Sequence, residues 1–268
     1  MNPPRLGQGT WNMGDSIRAR KEELAALREG IALGMTLIDT AEMYGDGRSE
    51  SLVAEAIAGQ RRKVFLVTKV LPSNASRKGV VRSCEASLKR LKTDRVELYL
   101  LHWSGSYPLE ETVRGFEDLL AAGKIRAWGV SNLELAEMKQ LAALPGGKAC
   151  VTNQLLYNLS RRGIEFDLLP WCLKQGISVM AYSPVEQGRI LGHKALKQVA
   201  QRLGATPAQV ALAWTLRHEG VVSIPKSGTV AHVRENRKAL DLELDVDALK
   251  ALDAAFPPPT KARPLEMI

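Results

Sequence analysis

Cysteine is scarce: Cys84, Cys150 and Cys172 are the only three in 268 residues. None sits in a CxxC pair or beside a histidine at ligand spacing, so neither a disulfide framework nor a metal site is expected. Cys84 and Cys172 fall within helical patterns and read as packing residues. Long apolar runs are also lacking, and none approaches the roughly 20 residues that span a bilayer. The N-terminus, Met1-Asn2-Pro3-Pro4-Arg5, has no apolar core of the signal-peptide kind. The expectation is a cytoplasmic protein with no membrane partner. No block of one charge stands out either. The net charge is +8, but the basic residues are spread along amphipathic helices (Arg18, Arg20, Lys21, Arg28; Arg77, Lys78, Arg82, Lys89). Without interleaved aromatics this pattern points away from nucleic acid and leaves a local excess suited to a small anionic ligand.

What is present is ordinary globular material, 45% hydrophobic and 25% charged. Apolar runs that read as strands alternate with amphipathic stretches that read as helices. Strands are predicted at 5–11, 35–38, 64–70, 96–102, 125–130, 151–155, 177–181 and 221–224, where β-branched and aromatic residues cluster. Helices are predicted at 22–33, 49–58, 111–120, 167–174, 230–240 and 246–256, with Gly34 and Gly123 as stops. Ser76 reads as the cap of a helix whose stripe is Val80, Cys84, Leu88 and Leu91. Thr206-Pro207-Ala208-Gln209 opens another, and Ser131-Asn132-Leu133-Glu134 has the form of a capping box.

Such alternation calls for parallel strands with crossover helices. An open doubly wound sheet that bound a dinucleotide would carry GxGxxG after its first strand, and Gly7-Gln8-Gly9 lacks the third glycine. A closed α/β barrel, a (β/α)8 TIM barrel in one domain over residues 1–268, accounts for a further regularity. The strands end in polar residues: Asp39, Lys69, His102, Asn132, Gln154, Tyr182 and Lys226. In a barrel, all of these face one site.

Asp39, Tyr44, Lys69 and His102 make a chemically coherent set. A phenol near its free pKa of about 10 is a sluggish acid, and a nearby ammonium would lower that value. Lys69 can supply the ammonium, Asp39 its counter-charge, and His102 a hydrogen bond that orients a carbonyl. These groups deliver a proton but no electrons, so a hydride donor must bind beside them. The later strand ends fit one. Ser131, Asn132 and Gln154 suit a carboxamide, and Tyr182 offers a flat face for a nicotinamide ring. Lys226 and Ser227, just before a helix beginning near Thr229, suit a ribose phosphate. Taken singly, each residue has a plainer reading: Asp39 a cap, Tyr44 an interfacial aromatic, Lys69 a snorkelling surface cation, His102 a satisfied histidine. Ser131 and Asn132 also fit the start of a helix. Glu42, inside the loop that carries Tyr44, has no role in this reading.

The segments GQGTW, LIDTAEMYG, VTKV, LLHW, WGVSN, NQLLYN, AYSP and IPKS, followed by Glu235-Asn236, resemble the aldo-keto reductases in order and spacing over nearly the whole chain. The resemblance implies a TIM barrel that reduces aldehydes and ketones with NADPH and no metal, acting on a small-molecule carbonyl substrate as a monomer. It implies Tyr44 as general acid tuned by Lys69 and Asp39, with His102 orienting the carbonyl. Ser131, Asn132 and Gln154 would hold the carboxamide, Tyr182 the ring, and Lys226 with Ser227 the 2′-phosphate. Thr229, Glu235 and Asn236 would line the adenosine end, and Gly9, Thr10, Ser183, Pro184 and Ile224 complete the cofactor contacts. The chain looks closest to small bacterial reductases of methylglyoxal and similar aldehydes. Many relatives have arginine where His232 stands, and Arg234 is a candidate replacement. The segment between Pro184 and His193 and the tail after Phe256 are short, which implies an open pocket flanked by Trp11 and Trp103. Two alternatives remain: a Schiff-base aldolase acting through Lys69, and a redox-sensing subunit with slow turnover.

Overall fold

The computed structural model describes residues 4–268; residues 1–3, part of the N-terminus read above, lie outside the described residues. Eight parallel strands form one sheet in sequence order: β1 (Gln8–Gly9), β2 (Leu37–Asp39), β3 (Phe65–Val70), β4 (Val96–Leu101), β5 (Ile125–Ser131), β6 (Cys150–Leu156), β7 (Ser178–Tyr182) and β8 (Val221–Ser223). The last strand also meets the first. Leu6 bridges Ser223 and Gly9 bridges Lys226, with Gly7 N donating to Ser223 O at 2.8 Å and Gly9 N to Pro225 O at 3.0 Å. This seam requires glycine: a Cβ on Gly9 would lie 2.8 Å from the Ile224 carbonyl oxygen.

The helices are α1 (Arg20–Ala32), α2 (Arg48–Ala56), α3 (Arg77–Leu91), α4 (Leu109–Ala121), α5 (Leu135–Ala143), α6 (Leu168–Lys174), α7 (Lys194–Arg202), α8 (Pro207–Thr215), α9 (Val230–Arg237) and α10 (Val246–Ala255). Local chemistry sets many of their starts. The Ser76 hydroxyl accepts the Gly79 N–H to cap α3, Thr206 and Gln209 form the capping box of α8, and Asp245 accepts from Ala248 N at α10. The stripe Val80, Cys84, Leu88 and Leu91 is buried, as its spacing predicts. Among the described residues no helix is long and apolar enough to cross a membrane.

One expected cap is not formed. Ser131 is the last residue of β5, paired with Gln154 of β6, and its hydroxyl donates to the Gln154 carbonyl at 2.9 Å. Asn132 then turns left-handed at φ 58°, and α5 begins only at Leu135, with the Glu134 N–H donating to the Glu137 carboxylate at 2.9 Å. Ser131 is taken up by the ladder with β6, and the capping box forms three residues later, between Glu134 and Glu137.

Strand periodicity explains where the polar residues go. Outward positions such as Ile38, Leu66, Tyr99, Leu101, Trp128 and Val130 pack with helix residues Leu27, Leu52, Val80 and Phe116 in the main core. Phe116 and Trp128 stack at 5.1 Å, worth about 0.5–1.5 kcal/mol beyond area burial. Inward positions Leu37, Val67, Leu98, Leu100, Met180 and Val222 form a second cluster within the sheet. Two residues further along the same faces stand Asp39 after Leu37, Lys69 after Val67, His102 after Leu100, and Tyr182 after Met180. Side chains alternate faces with a period of two, so each of these follows an inward apolar residue onto the same floor.

Candidate active site

A cavity of about 750 Å³ opens over the C-terminal ends of the strands. Beneath its floor lies Lys69, fully buried, with its ammonium hydrogens committed in three directions. Its Nζ donates to Asp39 Oδ2 at 2.8 Å, to the Thr40 carbonyl at 2.9 Å and to the Tyr44 hydroxyl oxygen at 3.0 Å. Burial alone would depress this ammonium, but Asp39 and then Tyr44 outweigh it and hold Lys69 above its ordinary value. A protonated amine with every N–H donated has no lone pair for imine formation. That geometry argues against an aldolase.

Because Tyr44 accepts from Lys69, its own O–H is left to point elsewhere, and Tyr44 lines the cavity. Burial holds the phenol above its ordinary value; Lys69 pulls it down but does not win, and Asp39 adds to the upward side. The expected net acidification is therefore corrected. The phenol is protonated at neutral pH, and Lys69 is placed to stabilise a phenolate if that proton leaves.

His102 is buried at 7% exposure, edge-on to Tyr44 with ring centroids 5.7 Å apart. Burial, with Lys69 adding to it, lowers its pKa to about 2. The imidazole is thus neutral at physiological pH. Its Nδ1 is buried without a partner among the described residues, which leaves Nε2 as the ring nitrogen for a ligand.

Gln154 reaches across the sheet. Its Nε2 donates to Asp39 Oδ1 at 2.7 Å, so Asp39 is held from both sides and Gln154 Oε1 remains for a ligand. Asn132 Nδ2 donates to the His102 carbonyl and to Ser131 Oγ, while its Oδ1 accepts from the Tyr182 hydroxyl at 3.0 Å. Trp11, half-exposed at 40%, and Trp103 line the mouth. Gly9, Thr10, Ser131, Asn132, Tyr182, Ser183 and Pro184 line the adjoining wall. At the far end come Ile224, Lys226, Ser227, Glu235 and Asn236, where Asn236 Nδ2 donates to Ser227 Oγ at 2.8 Å.

Two expected residues are not on the cavity wall. Lys69 lies behind Asp39 and Tyr44, and the Thr229 hydroxyl caps α9 by accepting from His232 N. Arg234, the candidate replacement for an arginine at His232, donates from its Nε to Glu29 at 2.7 Å, and His232 itself lines the cavity. The tail after Phe256, short as it is, reaches the pocket. Leu265 N donates to Glu134 Oε1 at 2.9 Å, Arg161 pairs with Glu266, and Met267 and Ile268 line the cavity. These last two, with Met43, Val185 and Leu191, are apolar wall residues that strand-end reasoning misses. They lie on loops and the tail, where no periodicity marks a side chain as facing inward.

The cavity lining includes both the acid, Tyr44, and a cation with a hydroxyl, Lys226 and Ser227. Comparison with known proteins agrees. Residues 5–256 match the model of the aldo/keto reductase family. The chain is 54% identical to methylglyoxal reductase YeaE of Escherichia coli (strain K12), over 99% of this chain and 95% of that one. It is 33% identical to a glyoxal reductase of Bacillus subtilis (strain 168), over 94% and 88% of the two chains. A crystal structure of an aldo/keto reductase from Klebsiella pneumoniae in complex with NADP and acetate superposes with a TM-score of 0.97 at 48% identity, covering 99% of this chain and 95% of that one. The chain belongs to the aldo/keto reductase family.

Proposed function

We propose that the protein is a cytoplasmic, NADPH-dependent reductase of small aldehydes and ketones, with 2-oxoaldehydes such as methylglyoxal as its substrate class. One observation carries this reading: a phenol aimed into the cavity, backed by a buried ammonium at 3.0 Å that is itself held by a carboxylate at 2.8 Å. The relatives' activities support the substrate class, since a methylglyoxal reductase and a glyoxal reductase both match nearly the full chain. We read the chain as one (β/α)8 barrel domain that works as a monomer. The bridges joining the first and last strands support closure.

The residues fit the cofactor on three counts: Gln154 Oε1 is open to a carboxamide, Tyr182 presents a ring face, and Lys226 with Ser227 offers a cation and a hydroxyl to a phosphate. When bound, NADPH supplies the hydride. Tyr44 donates its phenolic proton to the carbonyl oxygen, and Lys69 stabilises the phenolate that remains. Neutral His102 donates a hydrogen bond that orients the carbonyl between the two. Trp11, Trp103, Met267 and Ile268 exclude water and set the size of the substrate.

Consumption of NADPH with a panel of carbonyls, methylglyoxal first, tests the reading. Tyr44→Phe is expected to abolish reduction while leaving NADPH binding, followed by cofactor fluorescence, unchanged. Full turnover in that variant would remove Tyr44 from the acid role.

A further inference from the structure

Glu42 lies between Asp39 and Tyr44 on the loop that leaves β2. Its Oε1 accepts from the Leu71 N–H at 2.8 Å and from Asn74 Nδ2 at 3.1 Å. Both partners belong to the turn that follows β3, and the Glu42 N–H donates back to the Lys69 carbonyl at 3.4 Å. The symmetry of the arrangement matters. Glu42 is two residues before Tyr44, and Leu71 is two residues after Lys69. The clamp therefore joins the two backbone segments that carry the phenol and the ammonium, close to both.

The loop needs such a clamp. After Tyr44 the backbone runs through three left-handed residues, Gly45 at φ 55°, Asp46 at φ 51° and Gly47 at φ 83°, and a non-glycine residue such as Asp46 does not favour that region. Its two ends are anchored elsewhere: Ser49 Oγ donates to Thr10 Oγ1 at 2.8 Å, and Thr40 Oγ1 donates to Ser49 Oγ at 3.2 Å. Those contacts hold the roots of the loop against β1. They do not fix its height over β3, where Lys69 stands. Its height there is set by the Thr40 N–H donating to the Val67 carbonyl at 2.9 Å, by the Glu42 N–H, and by the Glu42 carboxylate, the one of the three that is a side chain.

We propose that Glu42 is a positioning residue for the Tyr44 acid, pinning the Tyr44 loop to the turn after Lys69 and so setting the distance between phenol and ammonium. The proposal rests on the reading of Tyr44 as the proton donor. Glu42 touches neither substrate nor cofactor in this scheme; it acts through Tyr44, whose charged and titratable neighbours are Lys69, Asp39, His102 and Tyr182.

The test compares Glu42→Ala, Glu42→Asp and Glu42→Gln with the wild-type enzyme. Displacing a reacting group by about 1 Å costs on the order of 100-fold in rate, so Glu42→Ala is expected to lower kcat by up to that factor with NADPH affinity unchanged. The decisive readout is the pH profile of the reverse reaction, oxidation of the alcohol by NADP⁺, which requires Tyr44 as phenolate. A looser Lys69 contact stabilises the phenolate less, so the rising limb of that profile moves to higher pH in Glu42→Ala. Glu42→Asp, a methylene too short for both donors, shows a smaller displacement and serves as the deciding variant if Glu42→Ala does not fold. Glu42→Gln keeps an accepting oxygen and recovers the wild-type profile. A displaced limb with rescue by glutamine supports the proposal. Wild-type kcat in Glu42→Ala, or a lowered melting temperature with an unmoved pH limb, overturns it. Failure of the wild-type enzyme to reduce any carbonyl would instead defeat the functional reading, which the Glu42 variants do not decide.

Discussion

Acidification offers a quantitative check on His102. In the folded protein its pKa is lowered to about 2, whereas a free histidine titrates near 6.5. Below the free value the unfolded chain takes up a proton that the folded chain refuses, so stability falls as pH falls. The loss begins near pH 6.5 and continues toward the folded value. Each pH unit in that window costs about 1.4 kcal/mol, so lowering the pH from 7.5 to 4.5 removes about 2.7 kcal/mol through this one group. The burial behind the shift is direct: the side chain is at 7% exposure, against Tyr44 and Trp103, with no partner for Nδ1 among the described residues. Other groups titrate over the same range, so the measurement is a difference. Urea melts of the wild type and of His102→Gln, taken at half-unit intervals of pH, are subtracted from one another. Glutamine keeps a hydrogen-bonding group but does not titrate, and its stability curve should lack about 2.7 kcal/mol of the acid loss. Parallel curves for the two proteins would mean that His102 is protonated in the folded state and is not the neutral donor described above.

Two further substitutions separate the ends of the cofactor site. Lys226→Ala is expected to raise the KM for NADPH about 10-fold and to leave that for NADH nearly unchanged; equal effects on both would place the phosphate contact elsewhere. Gln154→Leu removes the amide from a buried carboxylate, and should cost about 1–3 kcal/mol in urea melts. It should also weaken NADPH and NADH alike in fluorescence titrations. Undiminished stability there would mean that the Asp39 contact carries no weight.

Much of the site was legible in the sequence because strand geometry is so regular. Asp39, Lys69 and His102 each follow an apolar inward residue by two positions, and a parallel sheet sends all such positions the same way. The net sign of the Tyr44 shift was not legible, since it depends on how deeply the phenol is buried, which composition does not reveal. Ser131 illustrates a different limit. Its sequence satisfies a capping box and a strand end equally well, and only the partner strand carrying Gln154 decides between them. That the tail reaches the pocket was not legible, because Leu265 and Glu266 are fastened by Glu134 and Arg161, residues more than a hundred positions earlier. Glu42 was left without a role for the same reason, its partners lying 29 and 32 residues downstream.

The tie between Asp39 and Gln154 joins residues 115 positions apart and spans the inside of the sheet. Until the sixth strand docks, the carboxylate that steadies Lys69 lacks one of its two supports, and the part of the cavity wall that Gln154 forms is missing. A chain halted halfway round is chemically silent, however native its first strands. Turnover is consequently a gauge of complete assembly.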